Sequence, residues 1–339
     1  MPPLLRSALE LIGLKAYGPA EKIAWWVDFT FRGEQCQIAH QKFGVRIYLT
    51  TDSPEESAQD LLTQISKKLR SAVKTVEKVI LEAAPGLLGR GDATVINQHL
   101  SLERAYQYFR ERALAPIMIP DEHSEHRSPE GELISSSFAS GRRRMQINAF
   151  HDMVAAITAY LSLLEHDLVL ALAFTGFNPD IDDLTDVIGS RWGDKYDRVV
   201  GKGEEAAQYR ARLTAAVERW RNPYSHGGFE KGHGATIYLH TPGVGAVPVG
   251  LTGTRNSPLF SLFPASEDDV ADVFTLFDEL DAWLNSKMTE AFMWIRSGLA
   301  VRFDKEFRSE VEEAQREGWF PDYVDRAADR QELLDNMDF

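Results

Sequence analysis

From Gln146 onward, apolar residues recur every three or four positions: Phe150, Met153, Val154, Ile157, Leu161, Leu164, Leu168 and Leu172. That spacing matches the helical period and draws one apolar stripe along a single long helix. Its richest part, Met153 to Phe174, carries Glu165, His166 and Asp167 near the middle. Charges there are costly in lipid, so the pattern predicts a buried helix of a globular protein and no membrane span. Further helices are expected over about Ile181–Val200 and Glu204–Asn222. Ala206, Tyr209, Leu213, Ala216, Val217 and Trp220 form the stripe of the latter. The last helix opens at Ser266 and carries Val270, Val273, Phe274, Phe277, Leu280, Leu284, Met288, Phe292, Ile295 and Leu299 on one face. A hairpin, Thr236–His240 with Ala246–Leu251, fits between these helices, turning at Thr241-Pro242-Gly243-Val244-Gly245. Residues 146–303 therefore read as an antiparallel bundle of about four helices with one small inserted hairpin.

The N-terminal part follows a different period. Ile23–Phe31, Gln35–Gln41 and Val45–Thr50 are rich in aromatic and β-branched residues and are separated by turn signals at Arg32-Gly33-Glu34 and Phe43-Gly44, which predicts an antiparallel meander. Ser53-Pro54-Glu55-Glu56 has the form of a capping box, starting a helix expected to end at Ala84 before Pro85. A shorter helix is expected over Leu102–Leu114. From Pro116 to Arg144 apolar residues thin out, and a loop with a domain boundary is expected. The fold expectation is thus a mainly α chain. Residues 1–130 form an N-terminal α+β region, 146–303 the bundle, and 304–339 an acidic tail able to form one further helix.

The chain has 339 residues and a net charge of -14. That charge argues against general coating of nucleic acid. Its distribution is uneven: residues 304–339 hold 12 acids against 5 bases, whereas 191–231 hold 9 Lys/Arg against 6 acids. Arg142-Arg143-Arg144 is a second basic spot. A single cysteine, Cys36, excludes an intramolecular disulfide and fits a reducing compartment. The Leu-rich start is interrupted by Glu10 and lacks a small-residue cleavage site, so no signal peptide is read and a cytoplasmic location is expected.

The segment most suited to chemistry is Trp220-Arg221-Asn222-Pro223-Tyr224-Ser225-His226-Gly227-Gly228. Pro223 disfavours a helical Asn222, so the helix is expected to end near Arg221. That places Arg221, Asn222 and His226 on one tight connection. Arginine supplies a permanently charged fork for phosphate oxygens. Histidine gives and takes a proton near neutral pH. Asparagine adds a neutral donor and acceptor.

In this form the segment resembles the HEPN (higher eukaryotes and prokaryotes nucleotide-binding) superfamily: helical bundles with an Arg-x4–6-His motif and commonly a polar residue after the Arg. The motif also lies where that family carries it, at the end of the third bundle helix. The resemblance covers about Gln146–Phe303. It implies a metal-independent endoribonuclease acting as a homodimer, with RNA as partner, no cofactor, and a toxin or antiviral role. Arg221, Asn222 and His226 would be its site residues. His226 would act as general base or acid, Arg221 would stabilise the phosphorane, and Asn222 would orient the phosphate or His226. The product would be a 2′,3′-cyclic phosphate. Members often add a polar residue from an earlier helix, for which Glu165 and His166 are the candidates. Some toxin members carry a Tyr two residues after the His, where Gly228 stands here. The alternative from another class is a non-catalytic bundle that binds a nucleotide, RNA or protein through the same turn. Under the endoribonuclease reading, residues 1–130 would serve regulation or a protein partner.

Other constellations read as structural. His226, His233 and His240 repeat every seven residues, but no carboxylate or cysteine recurs at ligand spacing, so no metal is expected. His123 and His126 read as solvated, Trp25-Trp26 as packing, and Cys36 as inert.

Overall fold

The computed structural model describes residues 2–225, 236–250 and 265–336. It is mainly helical, with an N-terminal four-stranded antiparallel sheet. Contacts divide the chain into two units: Met1–Ala93, Pro179–Thr185 and Pro321–Phe339 form one, Thr94–Asn178 and Asp186–Phe320 the other.

The first unit opens with helix α1 (Pro2–Leu11) and strands β1 (Ala16–Tyr17), β2 (Ile23–Phe31), β3 (Glu34–Gln41) and β4 (Gly44–Thr50), paired in chain order. The expected meander is present almost to the residue. Phe31 pairs with Glu34 across Arg32 and Gly33, whose φ angles of 55° and 91° give the two-residue turn that matches strand twist. Alternation puts Trp25, Val27, Cys36 and Ile38 inside. Leu5 and Leu9 of α1 and Val73 of helix α2 (Glu55–Gly89) complete that core. Two expectations fail here. Pro54, not Ser53, is the N-cap of α2, and no side chain caps it. The helix also passes through Pro85 to Gly89.

The second unit begins with β5 (Thr94–Val95), α3 (His99–Leu114), the hairpin β6 (Glu122–Arg127) and β7 (Leu133–Ala139), and the 35-residue α4 (Gly141–Thr175). The hairpin corrects the expected loop. All residues of both strands are exposed, so neither shows the apolar alternation that betrays a strand. α4 begins at Ser140, whose Oγ accepts from Arg143 N–H, and ends at Gly176 with a φ of 110°. By length and composition α4 is long enough to cross a membrane; most of its apolar window is buried against neighbouring helices.

The next expected helix is broken into α5 (Leu184–Gly189) and α6 (Trp192–Val200). Then come α7 (Glu204–Ala216), a π-helical turn (Val217–Arg221), α8 (Asn222–Ser225), and the hairpin β8 (Thr236–Thr241) with β9 (Gly245–Gly250), as expected. The last long helix is split at Met288 into α9 (Glu267–Lys287) and α10 (Thr289–Arg296). A continuous stripe cannot reveal such a break, because both halves bury the same face. The α9 cap is a true capping box between Ser266 and Asp269.

Pairings fix the helix directions. His99–Asp167, Tyr106–Tyr160 and Arg112–Asp152 run α3 antiparallel to α4. Glu205–Lys287, Arg212–Glu279 and Arg219–Asp269 run α7 and its π turn antiparallel to α9. Tyr160 stacks on Phe277 at 3.9 Å and 7° in the middle of the core. Each such fully buried side chain contributes about 2 kcal/mol. The bundle thus extends N-terminally past the expected boundary at residue 130, because α3 is one of its packed helices. It also extends past residue 303. β10 (Val301–Arg302) pairs with β5, and α11 (Lys305–Glu317) buries Phe307, Val311 and Ala314. α12 (Phe320–Asp335) follows, so the acidic tail is two helices.

Candidate functional site

The Arg221 segment sits on the π turn. Asn222 N–H donates to Val217 O, five residues back, and Asn222 is right-handed helical at φ -63° and ψ -41°. The expected helix stop before Pro223 is therefore absent. Pro223 has no N–H to give, and the chain widens into the longer i→i+5 ring just before it. Helical geometry then continues to Ser225.

Trp220 anchors this turn. It is buried, with its ring 6.2 Å from Phe150 of α4 at 66°. Arg219 lies over the Trp220 ring at 4.2 Å and pairs with Asp269 at 2.8 Å. Arg221 is placed differently. It is half-buried, its Nη1 donates to Asn222 Oδ1 at 3.2 Å, and its Nε is buried with no partner among the described residues. A partnerless buried guanidinium N–H is costly unless something completes it, and an anion is the natural complement. Arg221 and Asn222 are thus brought together. His226 lies outside the described residues, as does His233.

The structure does not bring Glu165 and His166 to this turn. They follow Phe150 on the same helix by 15 and 16 residues, about 22 Å along the axis. Both have partners of their own. Glu165 Oε2 holds Lys195 Nζ at 2.6 Å, and that lysine is only 6% exposed. His166 Nε2 accepts from the Gln98 backbone N–H at 2.8 Å, and burial lowers its pKa. It is a neutral imidazole with one lone pair already used. Its neighbour Asp167, 5% exposed, meets His99 Nδ1 at 2.9 Å. Burial opposes charge on both groups. For His99 the Asp167 carboxylate outweighs burial and raises its pKa; for Asp167 burial prevails and raises its pKa as well.

This polar seam continues on the facing helix. Tyr160 Oη donates to Asp281 Oδ1 at 2.6 Å, and burial pushes the Asp281 carboxyl up to about 6. Nearby, Arg110 grips Asp278 through two bonds of 2.6 Å. Sequence reading missed His99, Lys195 and Asp281. The available signal was Asp281 on the apolar face, four residues after Phe277. Asn97 Nδ2 bonds the carbonyls of Ile295 and Leu299, closing α10 onto the start of α3. The seam is therefore a tie between helices α3, α4, α6 and α9, with its polar groups facing one another.

Among the described residues no group of three His, Cys, Asp or Glu is arranged to hold a metal. His123 and His126 are exposed, Trp25 is buried, and Cys36 is buried with its thiol pKa pushed up by burial. No protein-family model, no curated protein and no solved structure matches the chain.

Proposed function

We propose that the chain is a metal-independent endoribonuclease of the HEPN type, with its centre at Arg221, Asn222 and His226. The observation that carries this reading is the state of Arg221. It is a half-buried guanidinium on a π turn, held by Asn222 and with its Nε unpartnered among the described residues. π turns of this kind occur often at functional sites. Arg221 faces the phosphate and stabilises charge as the phosphorane forms. His226 takes the proton of the ribose 2′-hydroxyl or returns one to the leaving 5′-oxygen. Asn222 fixes the plane of the guanidinium. A second copy of the turn completes the centre in the family that the motif resembles, so the active form is a homodimer. Its substrate is RNA, since the internal nucleophile is the 2′-hydroxyl.

The test is cleavage of a labelled single-stranded RNA in excess chelator. Arg221→Ala and His226→Ala each lower the rate about 100-fold or more with the fold intact. Arg221→Lys loses most activity too, because an ammonium cannot reproduce the planar fork. Undiminished cleavage by Arg221→Ala overturns the assignment.

A further inference from the structure

The sheet of the first unit has two unlike faces. Strand alternation turns Trp25, Val27 and Ile38 inward, where α1 and α2 cover them. Their neighbours make up the other face. Register places Tyr17, Trp26, Ala39 and Arg46 in one row across all four strands, with Asp28, Gln37 and Tyr48 in the next. The open face of such a sheet is normally polar. Here Tyr17 (43%) and Tyr48 (42%) are exposed and Trp26 is half-buried. The Tyr17 and Trp26 rings stack at 5.8 Å and 24°. Tyr48, opposite Gln37, donates its hydroxyl to Gln41 Oε1 at 3.0 Å, so its ring leans along the sheet towards the Ala39 row. Ala39 is 0% exposed although it faces outward, because its long neighbours close over it. Together they make an aromatic floor. Cations stand at both edges. Lys15 Nζ lies 5.2 Å from the centroid of the Tyr17 ring on β1, and Arg46 on β4 is exposed with no ion pair among the described residues. Three strand spacings, about 14 Å, separate these edges. Asp28, the one acid that alternation puts on this face, is held by Gln37 Nε2 at 2.8 Å.

We propose that this face binds single-stranded nucleic acid, its bases stacked on Tyr17, Trp26 and Tyr48 and its phosphates met by Lys15 and Arg46. The chemistry of the face selects that occupant. Every base offers a π-face to an aromatic ring, and a single strand leaves that face free. Four-stranded sheets that bind RNA present two or three such rings. Charge agrees. Residues 15–50 hold five Lys/Arg against three Asp/Glu, in a chain of net charge -14. An acidic protein that binds a polyanion needs a local excess of cations of this kind. An acidic peptide would meet the same two cations but leave the rings unused. A second copy of the chain would bring like cations to the same patch. The inference goes beyond the nuclease reading and does not rest on it.

Fluorescence anisotropy with labelled oligo-U and oligo-dT tests it, on the full chain carrying Arg221→Ala and His226→Ala. Those two changes remove cleavage and phosphate contacts at the Arg221 turn, so affinity lost in a further variant is lost at the sheet. Oligo-dT has no 2′-hydroxyl to react, so it reads the face whether or not the chain is a nuclease. Both single strands bind, and duplexes of the same length bind about tenfold more weakly or worse, because their bases are already stacked. Tyr48→Ala and Trp26→Ala each weaken binding about tenfold, and Trp26→Phe keeps most of it. Arg46→Gln removes one phosphate contact and flattens the slope of log affinity against log salt by about 0.7. Tyr48 and Arg46 are exposed, so their variants keep the parent circular dichroism and separate lost binding from lost folding. Oligo-dT bound by a chain that never cuts RNA upholds the proposal and sinks only the nuclease reading. Three results overturn it: no binding of either single strand below about 100 μM at physiological salt, equal affinity for single strand and duplex, or affinity unmoved by both Tyr48→Ala and Arg46→Gln.

Discussion

Asp281→Asn is expected to stabilise the protein, and to do so only as the pH rises. Asp281 sits against Tyr160 in the polar seam, and burial raises its carboxyl from 3.8 to about 6, with Asp167 and Asp278 adding to the rise and the Tyr160 hydroxyl opposing it. The sign follows from proton counting. A carboxyl with a raised pKa binds more protons folded than unfolded between 3.8 and 6. Stability from this group therefore falls as pH climbs through that window and stays reduced above it. The full cost of its charge is about 3 kcal/mol at pH 8 and about 1.6 kcal/mol at pH 5. Both are ceilings, because part of the side chain reaches solvent. Asparagine keeps the Oδ1 acceptor for the Tyr160 hydroxyl and removes the charge. Urea unfolding at the two pH values measures the difference between variant and wild type. His99 and Asp167 titrate in both proteins, so their contributions largely cancel. The expected result is a more stable variant at pH 8, with the gain shrinking by about half at pH 5. A variant less stable than wild type at both values refutes the reasoning, since it would mean that the charged carboxylate contributes a net favourable interaction.

Two further substitutions probe the scaffold. Glu165→Gln leaves the Lys195 ammonium buried without its partner and costs about 3 kcal/mol in chemical denaturation, whereas the paired change Glu165→Leu/Lys195→Met costs much less. Gly141→Ala drives a methyl into the Ile119 carbonyl and within 2.7 Å of Pro120 O, both backbone atoms, and lowers stability by about 2 kcal/mol or more by thermal melting.

The parts of the fold written in short periods were legible in the sequence. The meander showed itself through alternation and two turn signals, and the stripes of α4 and α9 through spacings of three and four. What was not legible depends on information that periodicity lacks. α3 joins the bundle because Tyr106 packs against Tyr160 and Phe277, partners far away in sequence. The β6–β7 hairpin buries neither face, so its strands look like a polar loop. At the candidate site, Arg221 and Asn222 are adjacent as the motif requires, but Pro223 was read as a helix stop when a π turn absorbs it instead. Glu165, His166 and Asp167 stood out correctly as polar residues in an apolar run. Their partners, Lys195, Gln98 and His99, come from other helices. Only the three-dimensional pairing shows that the triplet ties the bundle together some 22 Å from the Arg221 turn.

The most direct test of the central claim is the end-group chemistry of cleaved RNA. A labelled oligoribonucleotide with one defined cleavage site is digested in chelator, beside a copy whose ribose at that site is 2′-deoxy. Cleavage by 2′-hydroxyl transesterification requires a 2′,3′-cyclic phosphate and a 5′-hydroxyl from the first, an uncut second, and loss of both products in His226→Ala. A 3′-hydroxyl with a 5′-phosphate, or cutting of the 2′-deoxy copy, contradicts it.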